Sequence, residues 1–190
     1  MVPIDRTRIL VIAATERELA PSGGWQAVRC GVGPVDAAAA SAAAIATHRP
    51  AAVLHVGIAG ARRASGIAPG TVVIGTEARY CDLGVAPKWA PSVVAAPPDL
   101  LAAAARALPE ARTGAIGTSA RIGGTHDVDV EAMEGFAVLR AAQLAGVPAI
   151  EIRAISNEIE ESDRARWPFD AAFSAIIDAT PRLIAELARA

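Results

Sequence analysis

The stretch Arg8-Ile-Leu-Val-Ile-Ala-Ala14 limits the fold of this chain more than any other. It is apolar, rich in β-branched side chains, bounded by charge and too short for a stable helix, so it predicts a buried strand. Gln26-Ala-Val-Arg-Cys30 predicts a second, weaker strand ending at Gly31-Val-Gly33. Pro34 then opens an alanine-rich helix running to His48, since proline suits a first helical turn where its missing N–H costs nothing. Ala51-Ala-Val-Leu-His-Val56 predicts a third strand, stopped by Gly57-Ile-Ala-Gly60. The turn dipeptide Pro69-Gly70 introduces a fourth over 71–80.

The second half continues the alternation. Residues 83–98 carry four prolines and little periodicity and predict a loop or lid. A helix follows over 99–108, a short strand over 114–117, a helix over 130–145, a strand over 148–155 and a closing helix over 169–189. Strands alternating with helices imply a three-layer α/β domain, and no internal repeat divides it. At 190 residues the chain is long enough for one well-buried core and short for two, so residues 1–190 are expected to form a single domain.

Composition narrows the partners. Hydrophobic residues make up 53% of the chain, but they are spread out, and no stretch reaches the roughly 20 uncharged apolar residues of a membrane span. A net charge of −2 with Lys88 as the only lysine leaves no basic stripe for a phosphate backbone, which argues against nucleic acid. The start lacks the cationic and long apolar regions of a signal peptide, so a cytoplasmic location is expected. Cys30 and Cys81 have no metal-binding or redox spacing and are expected to be reduced thiols.

Ligands of open α/β sheets gather beyond the carboxyl ends of strands. Three polar segments fall there: 15–18, 57–60 and 156–158. Gly31-Val-Gly33 invites a dinucleotide reading, but Asp36 holds the third glycine position, and a tight turn permitting close backbone approach is the simpler account. Glu16 and Glu18 could supply a water-activating base or merely favour a helix start. In Glu131-Ala-Met-Glu134-Gly135 two carboxylates at a helix start fit equally a charged first turn with Met133 as filler, or a clamp on vicinal hydroxyls. Glu151 and Arg153 within a strand suggest one solvated face. Asn157 at that strand's end is either a turn residue or an amide presenting donor and acceptor to a ligand edge. His48, His55 and His126 share no metal-ligand spacing, and His55 in an apolar strand fits a satisfied core residue.

In this order the segments resemble the nucleoside phosphorylase and nucleosidase superfamily across nearly the whole chain. Ala13-Ala-Thr-Glu-Arg-Glu18 is similar to its first-strand motif, Cys30-Gly-Val-Gly-Pro-Val35 to its glycine turn, Val56-Gly-Ile-Ala-Gly60, Pro69-Gly-Thr-Val-Val73 and 77–82 to its central block, and Glu131-Ala-Met-Glu-Gly135 to its ribose clamp. The resemblance implies an α/β/α phosphorylase/hydrolase-like fold with a central mixed sheet, a homo-oligomer, no cofactor and a purine nucleoside as ligand. It implies that Glu18 activates water, that Met133 and Glu134 hold the ribose, and that Ile58, Ala59, Ser156, Ala120 and Arg121 complete the pocket, the last two on the wall against the base.

Within the superfamily the likeness is strongest to the futalosine hydrolase branch, through Gly57-Ile-Ala-Gly-Ala61 and Glu151-Ile-Arg-Ala-Ile-Ser-Asn157 followed by Asp163-Arg164 and Trp167. That branch releases hypoxanthine from futalosine in a menaquinone pathway. The methylthioadenosine/S-adenosylhomocysteine branch has an aspartate where Asn157 stands. An amide is no general acid, yet it can accept from a protonated N7 and donate to O6, which favours a 6-oxopurine. Ile58, where phosphorylases commonly have serine, disfavours a bound phosphate. Shortened segments at 20–25 and 123–130 leave two other readings: an adenine nucleosidase and a catalytically silent nucleoside-binding paralogue.

Overall fold

A computed structural model describes residues 4–189. Eight strands form one sheet: β1 (Ile9–Ala13), β2 (Gln26–Arg29), β3 (Ala52–Ala61), β4 (Val72–Tyr80), β5 (Val93–Ala95), β6 (Arg112–Thr118), β7 (Val130–Ala132) and β8 (Ala149–Glu158). Four helices accompany them: α1 (Pro34–His48), α2 (Pro98–Ala107), α3 (Gly135–Leu144) and α4 (Phe169–Leu187).

The sheet is mixed. β1 pairs in parallel with β2 and β3, and β3 with β8, whereas β8 and β5 run antiparallel to β4. β7 joins β3 antiparallel and β6 parallel, so β3, β8, β4, β6 and β7 pair in a closed circuit. Closure leaves β8 with a partner on each side and no free edge.

Alternation along β1 creates two cores, as strand geometry requires. Ile9, Val11 and Ala13 pack with Leu54, Val56 and apolar residues of α2 and α4. Leu10 and Ile12 pack with Val53 and apolar residues of α1 and α3 on the opposite face. The result is the α/β/α arrangement expected from the sequence. No described helix is long and apolar enough to cross a membrane.

Three expectations are corrected. β3 does not stop at Gly57 but continues to Ala61, because β8 pairs with it through the glycines. The 83–98 segment contains β5, three residues held against β4. The span 130–145 is not one helix: Val130–Ala132 is a strand sandwiched between β3 and β6, and the helix begins only at Gly135. Cross-strand pairing, invisible to local periodicity, decides each case.

Candidate active site

Glu18 ends a single 3-10 turn after β1 and is only 3% exposed. Its Oε2 accepts hydrogen bonds from Thr15 N at 2.8 Å and Thr15 Oγ at 2.7 Å. Its Oε1 accepts from Ile58 N at 3.0 Å. A carboxylate with three donors at fixed positions has one defined rotamer. Gly57 makes this approach possible, since a Cβ there would lie 2.8 Å from Glu18 Oε1 and 2.2 Å from Arg153 Nη1.

Glu134 is the residue preceding α3, where the helix dipole favours negative charge. Its side chain turns away from the helix: Gly33 N donates to Oε1 at 3.0 Å and Arg153 Nη2 to Oε2 at 3.3 Å. Gly33 sits at φ 90°, a region that favours glycine, which aims its N–H at the carboxylate. The glycine turn after β2 therefore serves Glu134 rather than a dinucleotide. The helix end is capped instead by Thr118 Oγ, which accepts from Phe136 N at 2.8 Å.

Behind the two carboxylates lies a buried charge cluster that corrects the expected solvated face on β8. Arg153 and Glu151 are 0% and 1% exposed, because β8 is covered on both faces. Arg153 Nε meets Glu151 Oε1 at 2.8 Å and Nη2 meets His55 Nε2 at 2.5 Å. Since arginine can only donate, His55 Nε2 accepts, and its Nδ1 carries the proton given to Ile12 O at 2.9 Å. Burial, reinforced by Arg153, holds the His55 pKa well below its ordinary range. Burial also raises that of Glu151, against the pull of Arg153. Burial works against the charge on Arg153, but Glu151, Glu134 and Glu18 outweigh it and raise its pKa. Glu151 Oε2 has no hydrogen-bond partner, and a Cβ on Gly135 would lie 2.1 Å from it.

A β-bulge shapes the end of β8. The register with β3 steps from Ala59–Ile155 to Gly60–Asn157, leaving Ser156 unpaired. Bulges re-aim side chains. Ser156 Oγ lies 2.8 Å from Asn157 Oδ1 and 3.1 Å from Ala59 O, and Asn157 Nδ2 donates to Glu158 O at 3.0 Å. The amide is thereby oriented, with one Nδ2 proton and one Oδ1 lone pair uncommitted.

These parts surround a cavity of about 240 Å³, lined by Glu18, Ile58, Ala59, Met133, Glu134, Ser156 and Asn157. Ala120 and Arg121, expected on the base wall, do not line it; both are exposed, and Ile122 lines it instead. Asp82 explains the shift, because its carboxylate accepts from Ser119 Oγ at 2.9 Å and Ala120 N at 2.6 Å and holds that backbone towards β4. Glu131 and Glu134 share no hydrogen-bond partner. On β7, Glu131 accepts from Gly123 N at 2.5 Å, Thr125 N at 2.9 Å and Thr125 Oγ at 2.8 Å, anchoring the loop that carries Ile122.

Sequence reasoning named Thr15, Arg153 and Trp167 without giving them a place in the site, and missed Phe169 and Phe173, which line the cavity beside Trp167. The Thr-x-x-Glu spacing of a capping box was the available signal for Thr15. Cys30 is buried beside the site, and burial followed by Glu134 pushes its thiol up to about 12, so it is no nucleophile at neutral pH. Among the described residues no group of His, Cys, Asp or Glu is arranged to hold a metal ion.

The family model described as the phosphorylase superfamily matches residues 26–189. The chain belongs to the phosphorylase superfamily. It is 35% identical to a futalosine hydrolase of Streptomyces coelicolor, over 84% of this chain and 78% of that one. It is 31% identical to a futalosine hydrolase of Thermus thermophilus, over 86% of this chain and 82% of the relative. The same fold is seen in the native futalosine hydrolase of Helicobacter pylori, with a TM-score of 0.81 at 17% identity over 94% of this chain and 97% of that one.

Proposed function

We propose that the chain hydrolyses the N-glycosidic bond of a 6-oxopurine nucleoside, with futalosine as substrate and hypoxanthine and dehypoxanthine futalosine as products, a step of menaquinone biosynthesis. The observation that carries this reading is the pairing, on one cavity, of a rigidly held Glu18 with an oriented Asn157 amide. Two relatives named futalosine hydrolase support the choice of substrate.

In this reading Glu134 accepts hydrogen bonds from the 2′ and 3′ hydroxyls while Met133 packs on the sugar. Glycosidic bond stretching leaves an oxocarbenium-like ribosyl group, which the buried carboxylates stabilise. Water held by Glu18 attacks the anomeric carbon and gives up its proton to the Glu18 carboxylate. The base leaves with the bonding electron pair on N9 and takes a proton from solvent at N7; Asn157, braced by Ser156, donates to O6 and accepts from that N7–H, and a well-placed donor of this kind contributes about 3 kcal/mol. Ile58 contributes its backbone N–H to Glu18 and an apolar side chain to the wall, beside Ala59.

Hydrolysis is favoured over phosphorolysis by charge. Arg153, the cation nearest the floor, already faces Glu151, Glu134 and His55, while Glu18 and Glu134 would repel a phosphate dianion. We also place the enzyme in the cytoplasm as a homo-oligomer, in which a second copy covers the exposed Val32 and Ile122 at the pocket mouth.

The test is to incubate the protein with futalosine, inosine and methylthioadenosine, with and without phosphate, and to chromatograph the bases. Hypoxanthine from futalosine without phosphate is the expected outcome. Adenine release alone would replace the reading with an adenine nucleosidase, and no release from any substrate would leave a silent binding module.

A further inference from the structure

Arg153 is shared unequally between two buried carboxylates. Its Nε donates to Glu151 Oε1 at 2.8 Å. A carboxylate facing Nε ordinarily takes the adjacent Nη as well, in a side-on bidentate pair. Here that arm goes elsewhere. Nη2 lies 2.5 Å from His55 Nε2 and 3.3 Å from Glu134 Oε2, and Glu151 Oε2 is left buried with no hydrogen-bond partner among the described residues. Nη1 reaches the Ile58 carbonyl at 3.4 Å.

The imidazole that diverts Nη2 is arranged as an acceptor. His55 stands on β3 opposite Ile12 of β1, and Ile12 O takes its Nδ1 proton at 2.9 Å, which leaves the Nε2 lone pair facing Arg153. The side chain is 0% exposed and takes no part in the chemistry assigned above. A carboxylate in its place would be a fourth buried acid beside Glu18, Glu134 and Glu151, whereas a neutral ring accepts the same proton without adding charge.

We propose that His55 is a positioning residue for Glu134: by taking one Nη2 proton of Arg153 it denies Glu151 a bidentate pair and turns the other proton to Glu134 Oε2, fixing the carboxylate that receives the ribose hydroxyls. This rests on the reading that Glu134 holds the ribose. Without the imidazole, Arg153 closes on the unpartnered Oε2 of Glu151 and leaves Glu134 held by Gly33 N. A carboxylate with one donor is no longer preorganised, so recognition of the 2′ hydroxyl weakens.

The probes are inosine and 2′-deoxyinosine, and the readout is their affinity ratio by equilibrium dialysis on Glu18→Gln protein, in which turnover is slowed. This parent should prefer the ribonucleoside by about tenfold or more, as suits a hydroxyl donating to a carboxylate. Adding Glu134→Ala or His55→Leu should bring the ratio towards one. Adding His55→Gln should keep it within about threefold of the parent, because the amide oxygen accepts near the position of Nε2. Both His55 variants lose the Nδ1 bond to Ile12 O, so a merely structural histidine would make them alike. His55→Leu with Glu151→Gln should recover the ratio, since an amide nitrogen at Oε2 cannot accept from Nη2. An unchanged ratio in His55→Leu, with the ratio lost in Glu134→Ala, would overturn the role of His55 and leave the ribose at Glu134. A ratio near one in the parent, or an unchanged ratio in Glu134→Ala, would remove the ribose reading and this proposal with it. ¹⁵N spectra of the parent should show His55 neutral and protonated at Nδ1; a proton on Nε2 would overturn the proposal whether or not the variants fold.

Discussion

Arg153 and Glu134 meet beneath the cavity, with Arg153 Nη2 3.3 Å from Glu134 Oε2 and both side chains buried. One guanidinium thus links the carboxylate assigned to the ribose with Glu151 and His55 in the core. Removing the cation alone would strand carboxylates away from water. Arg153→Met should destabilise the fold by about 3–5 kcal/mol, read from urea denaturation. A loss under about 1 kcal/mol would show that the cluster does not depend on its cation.

Glu18 is held by Thr15 and Ile58 independently of any ligand. Glu18→Gln should therefore keep nucleoside affinity within a few fold while lowering kcat by about 10²–10⁴, the range of general base catalysis. Calorimetry and single-turnover kinetics separate the two effects. Turnover at the wild-type rate would remove Glu18 from the chemistry.

Asn157→Asp converts an amide that can only hydrogen-bond into a possible acid beside the leaving base. The variant should gain adenine nucleoside hydrolysis and lose 6-oxopurine hydrolysis, each by about tenfold or more. An unchanged ratio of hypoxanthine to adenine release from competing substrates would disprove the role of Asn157 in base choice.

The raised pKa of Glu151 has a definite sign in stability. The folded state holds this proton more tightly than the unfolded chain, so the stabilisation is full below the ordinary glutamate value of 4.5 and is lost as pH rises through the higher folded value. Glu151→Gln cannot ionise. Its stability relative to wild type should grow as pH rises above 4.5, in urea titrations of both proteins. A difference independent of pH would show that Glu151 does not change its charge on this path.

Much of the architecture was legible locally. The run after Arg8 and the Pro34 start of α1 identify themselves by length, β-branching and proline placement. The motif residues on the cavity were legible as well, because Glu18, Met133, Glu134 and Asn157 lie at strand and helix ends. What stayed hidden depends on distant pairing. Glu131 looked like a helix-start partner of Glu134, but β3 and β6 hold it in a strand. Arg153 and Glu151 looked solvated because two charges in a strand usually are, and only the placement of β8 between β3 and β4 buries them. Ala120 and Arg121 moved off the cavity because of Asp82, a side chain far back in the chain.

The central claim is attack by water, activated by Glu18, on a 6-oxopurine nucleoside. It is tested most directly by turning over futalosine in ¹⁸O-water containing phosphate, with the products weighed by mass spectrometry. The expected result is one ¹⁸O in the ribosyl product, none in hypoxanthine, and loss of the labelled product in Glu18→Gln. An unlabelled sugar phosphate would contradict hydrolysis, and full labelling by the Glu18 variant would contradict the assigned base.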